Sequence, residues 1–513
     1  MLNEIGAILK DPGGKLNIAL IYPNTYRVGM SNLGFQTMYR VFNEHQGIVC
    51  ERFFADCERS VEAHRPLSDF PVLAFSLSYE LDAIEMIRIL MKNRITPRVA
   101  HRGGRPVLIA GGSAVTLNPE PIADAVDILH LGDGEPLPGI LHDAYTHSSS
   151  YSEFIDALVG TDGIYIPSRT YPRAADDFST GFSGPTPMIS LVDPLDIPAH
   201  STVLSKQATF GDMFMVETAR GCPYRCGFCT AREIYAPFRP VSLARLTEIF
   251  DKAQPFRLKV GLVSTSLNNH PEASRIFQEI TGRGMKIAPP SLRLGILSEE
   301  LLDALRTSAV LGVTLAPETG SEDLRYATGK RISNQTVLED IRMLIEAGIR
   351  DVKLYFMVGI PGEQSHHIDA TIDLIKRIRQ TFIRVSRGNK KLGTVSVSIN
   401  TMVPKPHTRF EREPMISPDE ARSRIRKIVR AMKGQSNVSV SFEGPKWAYL
   451  QALFSRGDRS VLDLIELLAR NEKTPWQEIL RQWPKNSDFY ALRERTSSEV
   501  LPWSFYRLAC EGT

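Results

Sequence analysis

The amino-acid sequence predicts an α/β protein with two sheet-bearing regions in series, and three observations predict it. Short apolar runs alternate with stretches of helical spacing from residue 16 to about residue 147. The same alternation resumes at residue 212 and continues to residue 403. Between the two lies chain rich in proline, serine and glycine, which favours extended surface structure. A length of 513 residues allows two to four domains.

In the first region, expected over 1–164, strands are read at Leu16 to Tyr22, Pro71 to Phe75, Pro106 to Ala110 and Val126 to Leu131. Helices fall at Ser31 to Glu44, Glu80 to Lys92 and Pro136 to Tyr145. Such alternation implies a parallel, doubly wound sheet, whose ligands sit at the carboxyl ends of the strands. The loops there are Pro23 to Met30, Ser76 to Tyr79, Gly111 to Ser113 and Gly132 to Glu135. No Gly-x-Gly-x-x-Gly follows the first strand, and the Gly29 and Gly34 pair is followed by Phe35 rather than Lys-Ser/Thr, which argues against nicotinamide and nucleoside-triphosphate ligands. Residues 165–208, with Pro167, Pro172, Pro185, Pro187, Pro194 and Pro198, read as a connector.

The second region, expected over 209–434, opens with the strand Asp212 to Val216 and repeats strand and helix six times. Its later strands are Leu258 to Ser264, Lys286 to Leu292, Gly312 to Ala316, Val352 to Val358 and Thr394 to Val403. Its helices are Ser242 to Ala253, Pro271 to Gly282, Ser298 to Ser308, Asn334 to Ala347, His366 to Thr381 and Ser417 to Lys433. The last has Ser417 as cap, Pro418 at its first position and Gly434 as its stop, with arginines and lysines on a face read as solvated. Residues 435–513 read as a strand, Asn437 to Phe442, and a small, mostly helical C-terminal region. Its tryptophans are read as packing, and Arg456, Asp458 and Arg459 as a lid over the second region.

Directly after the first strand of the second region stands Cys222-Pro-Tyr-Arg-Cys226-Gly-Phe-Cys229, three of the chain's six cysteines. Apolar filler is one reading, but Pro223, Arg225 and Gly227 suit a loop around an ion better than a packed strand. A structural zinc completed by a distant histidine is a second. An iron–sulfur cluster with three protein ligands and one open iron is a third.

Cys-x3-Cys-x2-Cys with Phe228 before the last cysteine resembles the signature of radical S-adenosylmethionine (SAM) enzymes. The resemblance implies a [4Fe-4S] cluster on Cys222, Cys226 and Cys229, SAM chelated by the open iron, and a partial (βα)6 TIM-type barrel with its chemistry at the carboxyl-terminal mouth. It implies an electron donor such as ferredoxin or flavodoxin. It also assigns cofactor-binding roles around SAM. Phe228 belongs to the motif, and Ser264, Thr265 and Ser266 stand where many members carry Gly-Gly-Glu for the methionine amino group. Glu318 would bond ribose hydroxyls or the methionine moiety, against a plainer role as cap of the helix near Ser321. Gly359, Gly362 and Glu363 resemble the adenine-binding loop, against first-turn helix charge for Glu363. Arg293 and Lys405 suit an anionic substrate group or the SAM carboxylate, or solvated salt bridges, and His407 a general acid–base or a structural corner. No catalytic residue is singled out.

The N-terminal sheet makes the closer likeness one to radical SAM proteins with a Rossmann-like, cobalamin-binding-like domain, of largely undefined substrate. Ser291-Leu-Arg293, Lys353 to Gly359, Val403 to Thr408 and Phe454 to Arg459 extend it over about residues 16–485, with Arg409 where that subgroup has proline. Ser76, Ser78, Gly111 and Gly112 fall where the cobalamin tail is lined in that group. The group's Asp-x-His-x-x-Gly loop, whose histidine ligates cobalt, is absent. Asp127-Ile-Leu-His130 has other spacing, and His130 reads as an ordinary strand-end histidine. Two alternatives stay open: cobalamin bound without a protein ligand, or a fold kept without the cofactor.

Composition narrows the partners. Net charge is +3, hydrophobic residues make up 42% and charged residues 23%, so neither nucleic acid nor membrane is called for, though the basic helix face leaves RNA open. No apolar run reaches a membrane span, no signal peptide is evident, and sparse cysteines suit a reducing cytoplasm. Two functions from different classes follow: a radical SAM enzyme acting on a C–H bond, with methylation through cobalamin as one form, and a non-catalytic iron–sulfur or zinc protein for sensing or electron transfer. A methylthiotransferase would need three N-terminal cysteines for a second cluster, and only Cys50 and Cys57 are there.

Overall fold

Leu16–Tyr22 (β1) is apolar on both faces, as a central parallel strand must be, and it pairs on both sides. The computed structural model describes residues 4–169, 171–172, 182–183, 187–192, 198–256, 258–386, 393–506 and 508; of the connector, Pro185 and Pro194 lie outside the described residues. The chain forms two units, Met1–Asp212 with Leu453–Ala491 and Arg495–Thr513, and Met213–Ala452 with Leu492–Glu494.

The first unit holds a six-stranded sheet. With Ile48–Phe54 as β2, Val72–Ser76 as β3, Val107–Gly111 as β4, Ile128–His130 as β5 and Ile164–Tyr165 as β6, its order is β2-β1-β3-β4-β5-β6. All pairs are parallel except β5 with β6. The order reverses between β1 and β3, which makes the carboxyl ends of those strands the crevice of the sheet. Leu33–Glu44 packs Phe35, Tyr39 and Phe42 onto it, and Asn32 caps that helix by accepting from Phe35 N at 2.8 Å. β2 is absent from the sequence reading because Glu51 and Arg52 interrupt its apolar pattern. All seven of its residues are nevertheless buried, and Arg52 donates to Glu4 at 2.7 Å and Glu62 at 2.5 Å.

The C-terminal region is mostly helical, and Leu453–Ala491 and Arg495–Thr513 group with the first unit. Residues 453–491 complete the first unit: Arg459 donates to buried Glu120 at 2.8 Å and to Tyr165 Oη at 2.7 Å, and Asn118 donates to the carbonyls of Ser455 and Gly457. Arg456 is fully buried and donates to Ala491 O at 3.2 Å, so both arginines are bonded within the first unit. Trp483 and Trp503 are buried packing residues, while Trp447 is exposed.

His130, at the end of β5, is buried, and its Nε2 has no hydrogen-bond partner among the described residues. Burial lowers its pKa to about 4. The unfolded chain therefore binds the extra proton between about pH 6.5 and 4, and stability is expected to fall as pH drops through that window and level off below it. The full effect is on the order of 3 kcal/mol. Urea unfolding of wild type and His130→Gln across this range checks it: the variant should lose that part of the slope.

In the second unit, Met213–Glu217 (β7), Lys259–Val263 (β8) and Ile287–Ala288 (β9) form one parallel sheet. Gly312–Glu318 (β10), Asp351–Val358 (β11), Thr394–Thr401 (β12) and Val438–Phe442 (β13) form another, and a parallel bridge between Leu292 and Leu315 joins the two. β9 is shorter than expected because Pro289 and Pro290 have no amide to donate. β13 extends the six strand–helix units as a seventh parallel strand. It does not pair with β7 among the described residues, so the barrel is partial. Among the described residues no helix is long and apolar enough to cross a membrane.

Candidate functional site

The barrel's inner surface is not packed shut. Along β11, Val352, Leu354, Phe356 and Val358 are buried, whereas Tyr355 and Met357 between them are half-buried and Lys353 is exposed. β12 repeats the pattern, with half-buried Ser396, Ser398 and Asn400 in register with Lys353, Tyr355 and Met357. A closed barrel fills those positions with apolar layers. Here Lys353, Tyr355, Ser396, Ser398 and Asn400 among them are polar and not fully buried.

The cysteine loop leaves the end of β7. Gly221 sits at φ +81°, where a Cβ would lie 2.4 Å from Pro237 O, so glycine is required at the turn into the motif. Thr265, beyond β8, donates its hydroxyl to Gly221 O. Gly227 N donates to Thr328 O at 2.8 Å, Phe410 N to Gly227 O at 3.1 Å, and Cys229 N to Cys226 O at 3.0 Å. Arg409, in place of the subgroup's proline, brings its guanidinium to 2.8 Å from where a Gly227 Cβ would stand and donates to Ala327 O. All three thiols are free, and burial followed by the nearby Cys226 and Cys222 raises the pKa of Cys229. Phe228 is half-buried beside it.

The donor set fits a cluster. Among the described residues no three His, Cys, Asp or Glu side chains, these cysteines included, meet the geometry of one bound ion. A cubane holds its thiolates on separate irons and asks for no such convergence.

Beside the thiols stands an arginine that the sequence reading assigned to substrate or SAM. Arg293, past β9, stacks on Tyr224 with its guanidinium carbon 3.3 Å from the ring centroid, and its Nη1 lies 3.9 Å from Cys226 Sγ. Its backbone is clamped by Asn268, which accepts from Arg293 N at 3.1 Å and donates to Arg293 O at 2.8 Å. Asn269 donates to Tyr224 Oη at 3.1 Å and accepts from Ser266 Oγ at 2.6 Å. Ser266 N in turn donates to Ser264 Oγ at 3.2 Å. The Ser264–Ser266 turn is therefore bonded into the cysteine loop at two places.

Glu318 ends β10 behind a bulge, at φ +66° and buried. Non-glycine residues held there concentrate at functional sites. Its carboxylate pairs with Lys330, which also donates to Ala316 O at 2.7 Å. The helix at Ser321 is capped by Ser321 itself, so Glu318 has no capping role. Arg325 fixes the loop from below, donating to Pro317 O at 3.0 Å, Ile332 O at 2.9 Å, Asn334 Oδ1 at 2.7 Å and Thr319 O.

Glu363 is a clasp. It accepts from Gly359 N at 2.6 Å and from Arg424 at 2.5 Å, closing the loop in which Gly359 and Gly362 take φ +83° and +79°. Burial nonetheless raises its pKa. It precedes the helix, which starts at Ser365, so a first-turn charge is not its part. Arg424, read as solvated, is the partner that sequence could not supply. His367 caps the same helix by accepting from Gln364 N at 2.9 Å, and His407 holds φ +61° with its N–H on Glu411 at 2.8 Å, a structural corner.

In the first unit, the Ser76–Ser78 and Gly111–Gly112 loops are stitched together. Leu77 N donates to Gly111 O at 2.8 Å, Ala114 N to Leu77 O at 3.2 Å, and Ser113 Oγ to Ser78 O at 2.9 Å. A Cβ on Gly112, at φ +113°, would lie 2.5 Å from Leu77 O, so the glycine serves this contact. Ser78 Oγ accepts from Asn32 at 3.1 Å. The loop after β1 offers cobalt no histidine. At the matching offset before Gly29 stands Tyr26, whose hydroxyl donates to Glu4 at 2.5 Å and whose ring packs edge-on to Phe54 at 5.1 Å. His130 is likewise enclosed, its Nε2 3.0 Å from where a Gly163 Cβ would stand.

Two family profiles match the chain: radical SAM proteins, N-terminal, over residues 34–167, and the radical SAM superfamily over 216–375. An uncharacterized protein of Methanocaldococcus jannaschii is 28% identical over 455 residues, 87% of this chain and 89% of that one. A putative methylthiotransferase of the same organism is 22% identical over 386 residues, 71% and 75% of the two chains. Among solved structures, the radical SAM methyltransferase TsrM of Kitasatospora setae, with cobalamin and a [4Fe-4S] cluster bound, matches with TM-score 0.56 and 13% identity over 91% of this chain and 99% of that one. The cobalamin-dependent SAM radical enzyme OxsB, with aqua-cobalamin and SAM bound, matches with TM-score 0.53 and 14% identity over 91% and 70%. At these identities the structures speak for the fold: a cobalamin-binding-type domain and a radical SAM barrel.

Proposed function

We propose that this chain, which matches radical SAM profiles over residues 34–167 and 216–375, is a radical SAM enzyme of the subgroup with an N-terminal cobalamin-binding-like domain and acts on a C–H bond of a polar substrate held in the barrel interior. The observation that carries this is the three-thiol loop after β7, in a barrel whose strands β11 and β12 each carry one largely polar face that is not fully buried.

Cys222, Cys226 and Cys229 would hold three irons of a [4Fe-4S] cluster. With SAM on the remaining iron, that cluster supplies methionine and a 5′-deoxyadenosyl radical. The chain's own residues bind and orient. Glu318, paired with Lys330, accepts from ribose hydroxyls or the methionine moiety. The backbone of Ser264–Ser266 meets the methionine end, and the Gly359–Gly362 turn, held open by Glu363, lets the adenine approach main chain. Electrons come singly from a ferredoxin or flavodoxin.

Any cobalamin in the first unit would be held without a protein ligand to cobalt, because Tyr26 is spoken for by Glu4 and His130 is enclosed. Ser76, Ser78, Gly111 and Gly112 would then bear on its tail through main chain. A methylthiotransferase role is disfavoured: Cys50 is buried in β2 with its pKa far raised by burial, Cys57 is pushed up to about 11, and no third cysteine joins them among the described residues.

Anaerobic purification with iron, sulfide and cobalt analysis, followed by reduction with SAM, tests the reading. Stoichiometric 5′-deoxyadenosine is expected. An intact cluster that yields none, and whose electron paramagnetic resonance spectrum ignores SAM, would place the protein with sensors or electron carriers instead.

A further inference from the structure

We infer that Arg293 sets the reduction potential of the cluster, acting on it through the Cys226 sulfur; this rests on the reading of the three cysteines as cluster ligands. Its Nη1 stands 3.9 Å from that sulfur. Reduction adds one negative charge to the cluster and its thiolates, taken from a ferredoxin or flavodoxin that is oxidised in turn, and no proton need move. Hydrogen bonds to the sulfurs and nearby charge are among the levers that fix such potentials. A guanidinium against one thiolate stabilises the reduced form and raises the potential.

Three features make this a built arrangement. First, the guanidinium is clamped: Tyr224, inside the cysteine motif, stacks on it at 3.3 Å, and Asn268 holds its backbone on both sides. Second, the stack is itself anchored, because Tyr224 Oη accepts from Asn269, whose other amide atom accepts from Ser266. Third, among the described residues Arg293 forms no ion pair, so its charge is not cancelled. The half-buried setting keeps water from screening it fully.

An arginine whose task is to hold the SAM carboxylate predicts something different. Its loss weakens SAM binding and leaves the potential of the SAM-free cluster unchanged. The potential without SAM therefore separates the two.

The test uses the full-length chain, reconstituted anaerobically, in wild-type, Arg293→Gln, Arg293→Lys and Tyr224→Leu forms. Iron and sulfide are counted first, then redox titration without SAM is followed by electron paramagnetic resonance. For Arg293→Gln the ratio of reduced to oxidised cluster at a fixed poise is expected to fall about tenfold, equivalent to about 59 mV for one electron. Arg293→Lys, which keeps the charge, should recover most of the loss, and Tyr224→Leu, which frees the guanidinium, should fall between. Arg293→Gln with full iron and the wild-type midpoint overturns the inference while leaving the cluster assignment intact. If Arg293→Gln does not retain iron, Tyr224→Leu decides: a wild-type midpoint overturns the inference and a lowered one supports it. A wild-type protein that takes up no iron would refute the cluster assignment itself.

Discussion

Cys226→Ala is expected to lose its iron and sulfide and to form no detectable 5′-deoxyadenosine, while its melting temperature stays within a few degrees of wild type. The loss should be complete because a cluster left with two thiolates, Cys222 and Cys229, is not retained. The fold should survive because protein hydrogen bonds tie the loop at several points. Gly227 is bonded at both its amide and its carbonyl, Cys229 N closes the turn on Cys226 O, and Thr265 holds Gly221. The same separation of effects is expected for Cys222→Ala and Cys229→Ala. Iron analysis beside thermal unfolding of the apo proteins checks it; a variant that keeps a full cluster would show that the thiol is not a ligand.

Arg325→Met should destabilise the second unit by on the order of 3 kcal/mol, seen as a lower urea midpoint. Arg325 is fully buried, and burial lowers its pKa to about 10, which still leaves it charged at neutral pH. Its guanidinium serves four oxygens, at Pro317, Thr319, Ile332 and Asn334, and none is a carboxylate. Methionine fills much of the volume but donates nothing, and a buried acceptor left unpaired costs about 1–3 kcal/mol. Two of these oxygens, of Pro317 and Thr319, flank Glu318, whose left-handed backbone persists only while its surroundings hold it. SAM affinity, measured by equilibrium dialysis, is accordingly expected to drop about tenfold, and an unchanged affinity would detach Glu318 from SAM.

What sequence could show follows from range. The cysteine motif is contiguous, and strands such as Leu16–Tyr22 declare themselves by apolar runs. β2 stayed hidden because the partners that neutralise Arg52, Glu4 and Glu62, lie in other segments. β9 was overextended because two prolines cut the ladder within an apolar stretch. In the site, Arg293 reaches Cys226 across 67 residues and Arg424 reaches Glu363 across 61, distances over which spacing carries no signal. Tyr224 alone, lying within the motif, could have prompted a search for a cation to stack on it.

The closing of the first unit by residues 453–491 has a consequence for biosynthesis. Emerging from the ribosome, the N-terminal sheet is finished before the barrel begins, yet Glu120 and Asn118 wait for partners that leave the exit tunnel only after the whole barrel. Until then a buried carboxylate has no arginine and must stay protonated or hydrated. Nascent chains stalled after residue 452 should therefore be cleaved by protease in the Asn118–Glu120 segment, and chains stalled beyond residue 491 should be protected there.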